Sequence, residues 1–387
     1  MRFPEFTEEW KKCTIKDYGE VITGNTPPTK NIEYYSNGSY LWASPADLGL
    51  SKHITSTKTK LSLLGLKKTR TIPQGSILVT CIGSTIGKMG MATETMSTNQ
   101  QINSVIVNDS TNNDFAYYAI LNAFPRYLSE VGVQAVPILS KSNFEKLPNH
   151  TTTKEEQRKL GYFLNLLDER IATQNKIIED LKKLKSAIVD MLLCNQNSEM
   201  LKLGDIGYFV RGLTYANEDV TENKAATAVI RANNLNYGNH VDKGEVVYVS
   251  RTPATSQILR KGDIVICMAN GSSALVGKNS YYPFNDGQST VGAFCGIYRT
   301  SHPLAKWLMQ SQRYKRLVYQ SLQGGNGAIA NLNGDDILNM SFPVMEKEKS
   351  KSIIFILEAI EKSLAVNKDL QRSYSTQKSH LLKQMFI

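Results

Sequence analysis

The chain has 387 residues, 41% of them hydrophobic, enough for two or three ordinary cores. No run of 18 apolar residues occurs and "MRFPEFTEEW" at the start lacks the apolar stretch of a secretion signal, so neither a membrane span nor export is expected. The net charge of +10 suits a polyanionic partner, and five scattered cysteines (Cys13, Cys81, Cys194, Cys267, Cys295) suit a reducing cytoplasm rather than a disulfide framework or a structural zinc.

In chain order, residues 1–150 read as a β-rich globular segment. Short apolar runs such as Ile77–Ile82 are bounded by Gly, Pro, Asn and Ser, and a helix is predicted at Asn113–Glu130. Residues 151–195 change character, with no Pro and one Gly between Lys154 and Leu193. Threonines 151–153 offer N-caps, and Glu155 and Glu156 fall in the first turn. Leu160, Leu164, Leu167, Ile171, Gln174, Ile178, Leu181, Lys185, Ile188 and Leu192 follow a 4-3 spacing, the seam of a helix roughly 60 Å long.

Residues 196–345 then repeat the first segment. "IKDYGEVITGNT" (Ile15–Thr26) aligns with "LGDIGYFVRGLT" (Leu203–Thr214), "YLWASPADL" with "AVIRANNL", and "IPQGSILVTC" with "LRKGDIVICM". "AVPILSKSNFEKLP" (Ala135–Pro148) meets "AIANLNGDDILNMSFP" (Ala328–Pro343), and Pro303–Leu322 is the predicted match of the helix at Asn113–Glu130. Residues 346–387 repeat the long helix, with a seam at Ile353, Leu357, Ile360, Leu364, Asn367, Gln371, Tyr374, Lys378, Leu381 and Met385. The expected fold class is α+β: two similar globular domains, each with a curved or barrel-like sheet, separated by two long helices. The helices are expected to form an antiparallel coiled coil with pseudo-two-fold symmetry, polar seam positions setting its register. Both globular segments are net basic, while residues 151–200 are balanced.

Two loops invite a nucleotide reading: "CIGSTIGKMG" (Cys81–Gly90) and "CMANGSSALVGK" (Cys267–Lys278). A phosphate-binding loop needs four residues between its first Gly and Gly-Lys, then Ser or Thr. The first loop has three and Met89, the second five and Asn279, so both fail. They are one structural feature used twice. No G-x-S-x-G or H-E-x-x-H occurs, and His53, His150, His240, His302 and His380 do not cluster. "GGNGAIAN" (Gly324–Asn331) reads as a loop, and "TPPT" (Thr26–Thr29) lacks the flanks that would hold a flipped base. Neither a catalytic residue nor a metal site is expected.

What remains is a set of basic and amide side chains on loops of both copies. In the first copy they are Lys67, Lys68, Arg70, Ser84, Lys88, Asn99, Gln100 and Gln101. In the second they are Arg211, Tyr215, Arg231, Asn233, Asn234, Arg251, Asn270, Ser272, Ser273, Lys278 and Gln288. Arg pairs with guanine and Asn or Gln with adenine, while Lys and Ser suit phosphate. Matching frames with different loops suit two readers of two different DNA sequences; drift after duplication would give the same pattern.

The order globular copy, heptad helix, globular copy, heptad helix resembles the specificity subunit of type I restriction-modification systems. "IKDYGEVITGNTP", "QGSILVTCIGSTIGK" and above all "EEQRKLGYFLNLLDERI" carry the resemblance; "KEKSKSIIFILEAIEKSL" in the second copy lacks the Gln-Arg. The resemblance implies a non-catalytic subunit whose two target recognition domains each read one half of a split, asymmetric target in double-stranded DNA. Half-sites roughly 10 bp apart would put both readers on one side of the duplex. It implies that the helices fix the gap and dock two modification subunits, and that two restriction subunits join them. S-adenosylmethionine, ATP and Mg would be bound by those partners and not by this chain. A self-sufficient DNA-modifying enzyme and a coiled-coil scaffold for another ligand are the alternatives.

Overall fold

The computed structural model describes residues 2–130, 138–191, 199–322 and 330–386. Leu192, Cys194 and the ends of the predicted loops at 135–137 and 324–329 lie outside them. The chain divides into two compact units, Met1–Lys176 with Lys368–Ile387, and Ile177–Asn367. Each long helix therefore contributes to both.

In the first unit a five-stranded sheet has the order Gly19–Thr23, Ile102–Val107, Ile77–Thr80, Met89–Ala92, His53–Ile54. A four-stranded sheet has the order Thr59–Leu61, Tyr40–Ala43, Met96–Thr98, Thr71–Ile72. The strand Ile77–Thr80 is buried throughout because it lies between two cores. Ile77 and Val79 point into a core shared with the helix Asn113–Glu130, and Leu78 into one shared with Leu41, Leu48 and Met96. Alternation with period two thus serves two apolar faces, and the strand reads as a continuous apolar run.

The second unit repeats this order for the inner strands and differs at the sheet edges. Tyr208–Arg211, Cys295–Arg299, Ile264–Cys267 and Asn279–Tyr281 form one sheet; Val220–Thr221, Val247–Val249, Thr227–Ile230 and Ser289–Val291 form the other. Ile264 and Ile266 face the helical core, while Val265 and Cys267 face the opposite one. Two main sheets in each copy, with two-stranded pairs beside them among the described residues, therefore stand where a single curved sheet was expected. The helix expected over Pro303–Leu322 is also split, into Ala305–Leu308 and Gln312–Leu322. Ser311 explains the break: its hydroxyl donates to the Leu308 carbonyl at 2.6 Å and accepts from the Tyr314 amide at 3.1 Å. One side chain closes a helix and caps the next.

The Gly-Lys loops are hairpin turns. Gly87 and Gly277 both have positive φ, +88° and +79°, and each donates its amide back to the preceding strand, at Thr80 and Cys267. A Cβ at either would strike the neighbouring helix, at Phe124 or Val318. The repeated glycine is required by a turn pressed against a helix, not by a phosphate.

The long helices span Lys154–Met191 and Lys347–Met385. Within each unit their segments meet in antiparallel sense. In the first, Leu160, Leu164 and Leu167 share the globular core with Leu381, Leu382, Met385 and Phe386. In the second, Ile178 packs with Ile360 and Leu364, flanked by Leu181 and Ile188, while Leu357 and Ile353 join the helical core. The seam therefore serves two partners, the other helix and a globular core. Ile171 and Tyr374 are half-buried. Among the described residues no helix is long and apolar enough to cross a membrane.

Two seam lysines make equivalent ion pairs. Lys378 donates to Asp168, and Lys185 to Glu361 at 2.7 Å. Each carboxylate takes a second partner from the globular part: the Tyr118 hydroxyl donates to Asp168 at 2.6 Å, and Lys306 donates to Glu361. Burial acts to raise the Glu361 carboxyl, but Lys185 and Lys306 outweigh it, and it titrates below the usual carboxylate range.

Glu361→Gln leaves two ammonium groups facing a neutral amide. Because 24% of the side chain is exposed, the expected cost is about 2 kcal/mol, below the ~3–5 kcal/mol of breaking a fully buried pair. The folded pKa lies below the unfolded value of about 4.3, so the stabilisation is full above that value and is lost as pH falls through the folded one. Chemical denaturation at pH 7 and near pH 3 checks this: the gap between wild type and variant should narrow at the lower pH.

Candidate nucleic-acid interface

In each copy the chain passes from one sheet to the other through a three-residue turn. In the first it is Asn99–Gln101, between the strands Met96–Thr98 and Ile102–Val107; in the second it is 292–294, between Ser289–Val291 and Cys295–Arg299. Three backbone hydrogen bonds hold each turn, at matching positions. Asn25 donates to Thr98 and Leu213 to Val291, Asn99 donates to Ala43 and Gly292 to Ile230, and Cys81 donates to Gln101 and Met268 to Phe294, all within 2.7–3.0 Å. The frame glycines Gly24 and Gly212 are there because the turn crosses them closely: an added Cβ would lie 2.2 Å from Thr98 Oγ1 and 2.1 Å from the Gly292 carbonyl.

Around the first turn the side chains are amides and hydroxyls. Thr26 Oγ1 donates to Gln100 Oε1 at 2.5 Å, and Asn99 binds Gln101 through both its amide atoms, at 3.0–3.1 Å. Asn25 ties the neighbouring basic loop to the turn. Its Nδ2 donates to the Lys68 carbonyl and its Oδ1 accepts from the Arg70 amide, both at 2.8 Å. Arg70 in turn donates Nη1 to the Thr23 carbonyl at 2.7 Å. Lys67, Lys68, Arg70 and Gln100 are exposed, whereas Asn99 is buried and holds the turn's shape. Ser84 and Lys88 are exposed on the Gly-Lys hairpin; a Cβ at its Gly83 would sit 3.7 Å from Gln101 Nε2, so that hairpin flanks the turn.

The second turn is Gly-Ala-Phe where the first is Asn-Gln-Gln. Beside it opens a cleft of about 510 Å³, lined by four of the predicted residues, Tyr215, Arg231, Asn233 and Asn270, together with Phe294 and small side chains. Arg231 Nε is buried there without a hydrogen-bond partner. Arg211 lines an adjoining cleft that shares Phe294. Asn234, by contrast, is not a surface residue: it is 3% exposed, and its side chain accepts from the Arg231 amide and donates to the Glu245 carbonyl, shaping the loop. Arg251 pairs with Asp219 at 3.8 Å, and it, Ser272, Ser273, Lys278 and Gln288 do not line the cleft.

Sequence reasoning missed Asn25, Thr26 and Phe294. The first two lie in the quoted "ITGNTP". Phe294 stands opposite Gln101 when the copies are aligned, and an aromatic replacing an amide between small residues was the available signal.

The chemistry here is that of binding. Burial pushes the thiols of Cys81 and Cys295 up to about 12, so both are neutral and unsuited to nucleophilic attack. Among the described residues no three His, Cys, Asp or Glu side chains converge to hold a metal.

Residues 7–183 match the family model described as the Type I restriction modification DNA specificity domain. The chain is 30% identical over 183 residues to the type I restriction enzyme MjaIX specificity subunit of Methanocaldococcus jannaschii, a match covering 46% of this chain and 42% of that protein. It is 30% identical over 185 residues to the HindI specificity subunit of Haemophilus influenzae, covering 45% and 39%. The chain thus spans about two fifths of the length of these relatives. Over 98% of its length it shares a fold with the type I restriction-modification S subunit from M. genitalium, at a TM-score of 0.62 and 16% identity, covering 96% of that chain. A structure described by complex assembly and conformational transition of the type I R-M system matches at a TM-score of 0.55 and 14% identity, covering 97% of each chain.

Asn25→Ala is expected to orphan the Lys68 carbonyl and the Arg70 amide at a cost of about 1–3 kcal/mol. Limited trypsin digestion should cut faster after Lys67, Lys68 or Arg70 than in wild type; unchanged cleavage would show that Asn25 does not hold this loop.

Proposed function

We propose that the chain is a member of the type I restriction-modification specificity-subunit family, whose model residues 7–183 match, and that it is a non-catalytic reader of a split, asymmetric DNA target. Residues 1–150 form the first target recognition domain and residues 196–345 the second, each reading one half. The helical segments 151–195 and 346–387 fix the unread gap and dock two modification subunits. Two restriction subunits complete the cytoplasmic complex. S-adenosylmethionine, ATP and Mg belong to the partners.

The observation that carries this reading is the pair of turns between sheets. Three hydrogen bonds fix the same backbone in both copies, while the side chains change from Asn-Gln-Gln to Gly-Ala-Phe. A fixed frame with exchanged side chains is what two readers of different bases require, because base edges are told apart by the groups presented to them. The exposed Lys67, Lys68 and Arg70 beside the first turn suit phosphates, which position a protein on DNA without specifying sequence.

Co-expression with a modification subunit in a methylation-free host, followed by genome-wide mapping of modified adenines, tests the reading. The expected result is fixed bases on both sides of a constant unread gap, and replacing residues 1–150 by another recognition domain should alter one side only. No methylation, with the same modification subunit active beside another specificity chain, overturns it. Lys68→Ala should weaken DNA binding about equally for all sequences and reduce the slope of log affinity against log salt by about 1; a titration from 50 to 200 mM salt checks this.

A further inference from the structure

We infer that Phe294 is a specificity-determining residue, reading the methyl group of a thymine in the half-site assigned to residues 196–345. The inference rests on the DNA-reading function proposed above. Phe294 is 68% exposed, although its backbone is held by hydrogen bonds. Its carbonyl accepts from the amides of Met268 and Ala269, and the next amide, of Cys295, closes on Gly292 at 2.8 Å. The turn therefore projects the ring outward and holds it there.

Nothing in folding calls for that exposure, since leaving a large apolar side chain in water forgoes roughly 1.5–3 kcal/mol of burial. The partner that covers it is identified by the neighbours. Arg231 and Tyr215 line one cleft beside Phe294 and Arg211 lines an adjoining one. An apolar group with two arginines lining the clefts beside it suits a surface that is anionic and yet presents apolar groups, and the major groove of an A·T pair does so through the C5-methyl of thymine. The first copy puts Gln101 at this position of the turn, so its chemistry there is hydrogen bonding instead.

The test uses the complex of this chain with its modification subunit and a duplex carrying the target found by methylation mapping. Each thymine of the second half-site is replaced in turn by uracil, which removes only the methyl group. One replacement should weaken binding by wild type about three- to fivefold, the effect of one buried methyl. Phe294→Ala should show the same loss on the unmodified duplex and no further loss on that uracil duplex, while Phe294→Leu should retain part of the sensitivity. Thermal melting of the variants verifies folding. A second half-site without an A·T pair, or uracil effects equal in wild type and Phe294→Ala, overturns the inference while leaving the split-target reading intact. Absence of sequence-specific DNA binding by the wild-type complex overturns both.

Discussion

The carboxylate of each long helix gripped by a lysine of the other is the contact on which the arrangement depends. Asp168 with Lys378 and Glu361 with Lys185 are the same pair made twice, at corresponding positions of the two seams. An apolar 4-3 seam can slide by a turn at modest cost, because leucines and isoleucines are interchangeable along it. Half-buried ion pairs cannot, since a slip leaves a lysine and a carboxylate without partners. Each pair also reaches out of the helices: Tyr118 holds Asp168, and Lys306 holds Glu361. Helix register and helix-to-globule docking are thereby settled by one carboxylate in each unit. Lys52 adds to this in the first unit. Its ammonium is buried and donates to Asp114, to Asn165 of the long helix and to the Tyr118 hydroxyl, at 2.5–3.2 Å.

The architecture was legible because it is repeated. One copy alone offers short apolar runs that fit many folds; two copies in register mark which glycines and strands belong to the frame. The helix at Asn113–Glu130 and the start of the long helix at Lys154 fall where capping and periodicity put them. The break at Ser311 was not legible, because a serine within an amphipathic run is tolerated in helices and acts as a cap only once its hydroxyl finds the Leu308 carbonyl. The same limit applies to the candidate interface. Composition picks out amides and cations on loops but does not separate Asn234, which shapes its own loop, from Asn233, which lines a cleft. Phe294 falls outside that class because its side chain is apolar.

The two turns between the sheets show how one backbone carries different side chains. Gly24 and Gly212 let the turn cross at a distance no side chain would permit, and the three hydrogen bonds leave the turn's side chains free of structural duty except where they serve one another. In the first copy the amides interlock, Asn99 with Gln101 and Gln100 with Thr26. In the second, Gly292 and Ala293 leave the space open as a cleft, with an unsatisfied Arg231 nitrogen inside it. Exchange of these side chains therefore costs the fold little.

The segment that carries the family resemblance most clearly, "EEQR", has a structural task. Glu156 is fully buried and takes a bidentate hydrogen bond from Arg2 at 2.7 Å; Gln157 donates to Thr151 and Thr152 and accepts from the Asn112 amide. The contacts of Glu156 and Gln157 are internal, whereas Arg158 is exposed, so loss of the Gln-Arg from the second copy removes one internal amide and one surface guanidinium, with the exposed Lys351 at the matching position. Ser350, buried at the matching position, instead donates to the Met345 carbonyl at 3.0 Å. The two copies are also closed alike: the first core holds the start of the first long helix and the end of the second, through Leu164 and Met385, and the second core holds the start of the second and the end of the first, through Leu357 and Val189. Neither core is complete without the helix that belongs to the other copy. A duplication that left each globular copy with only its own helix would expose half of every seam, so the pairing of the helices and the closing of the cores are one physical requirement.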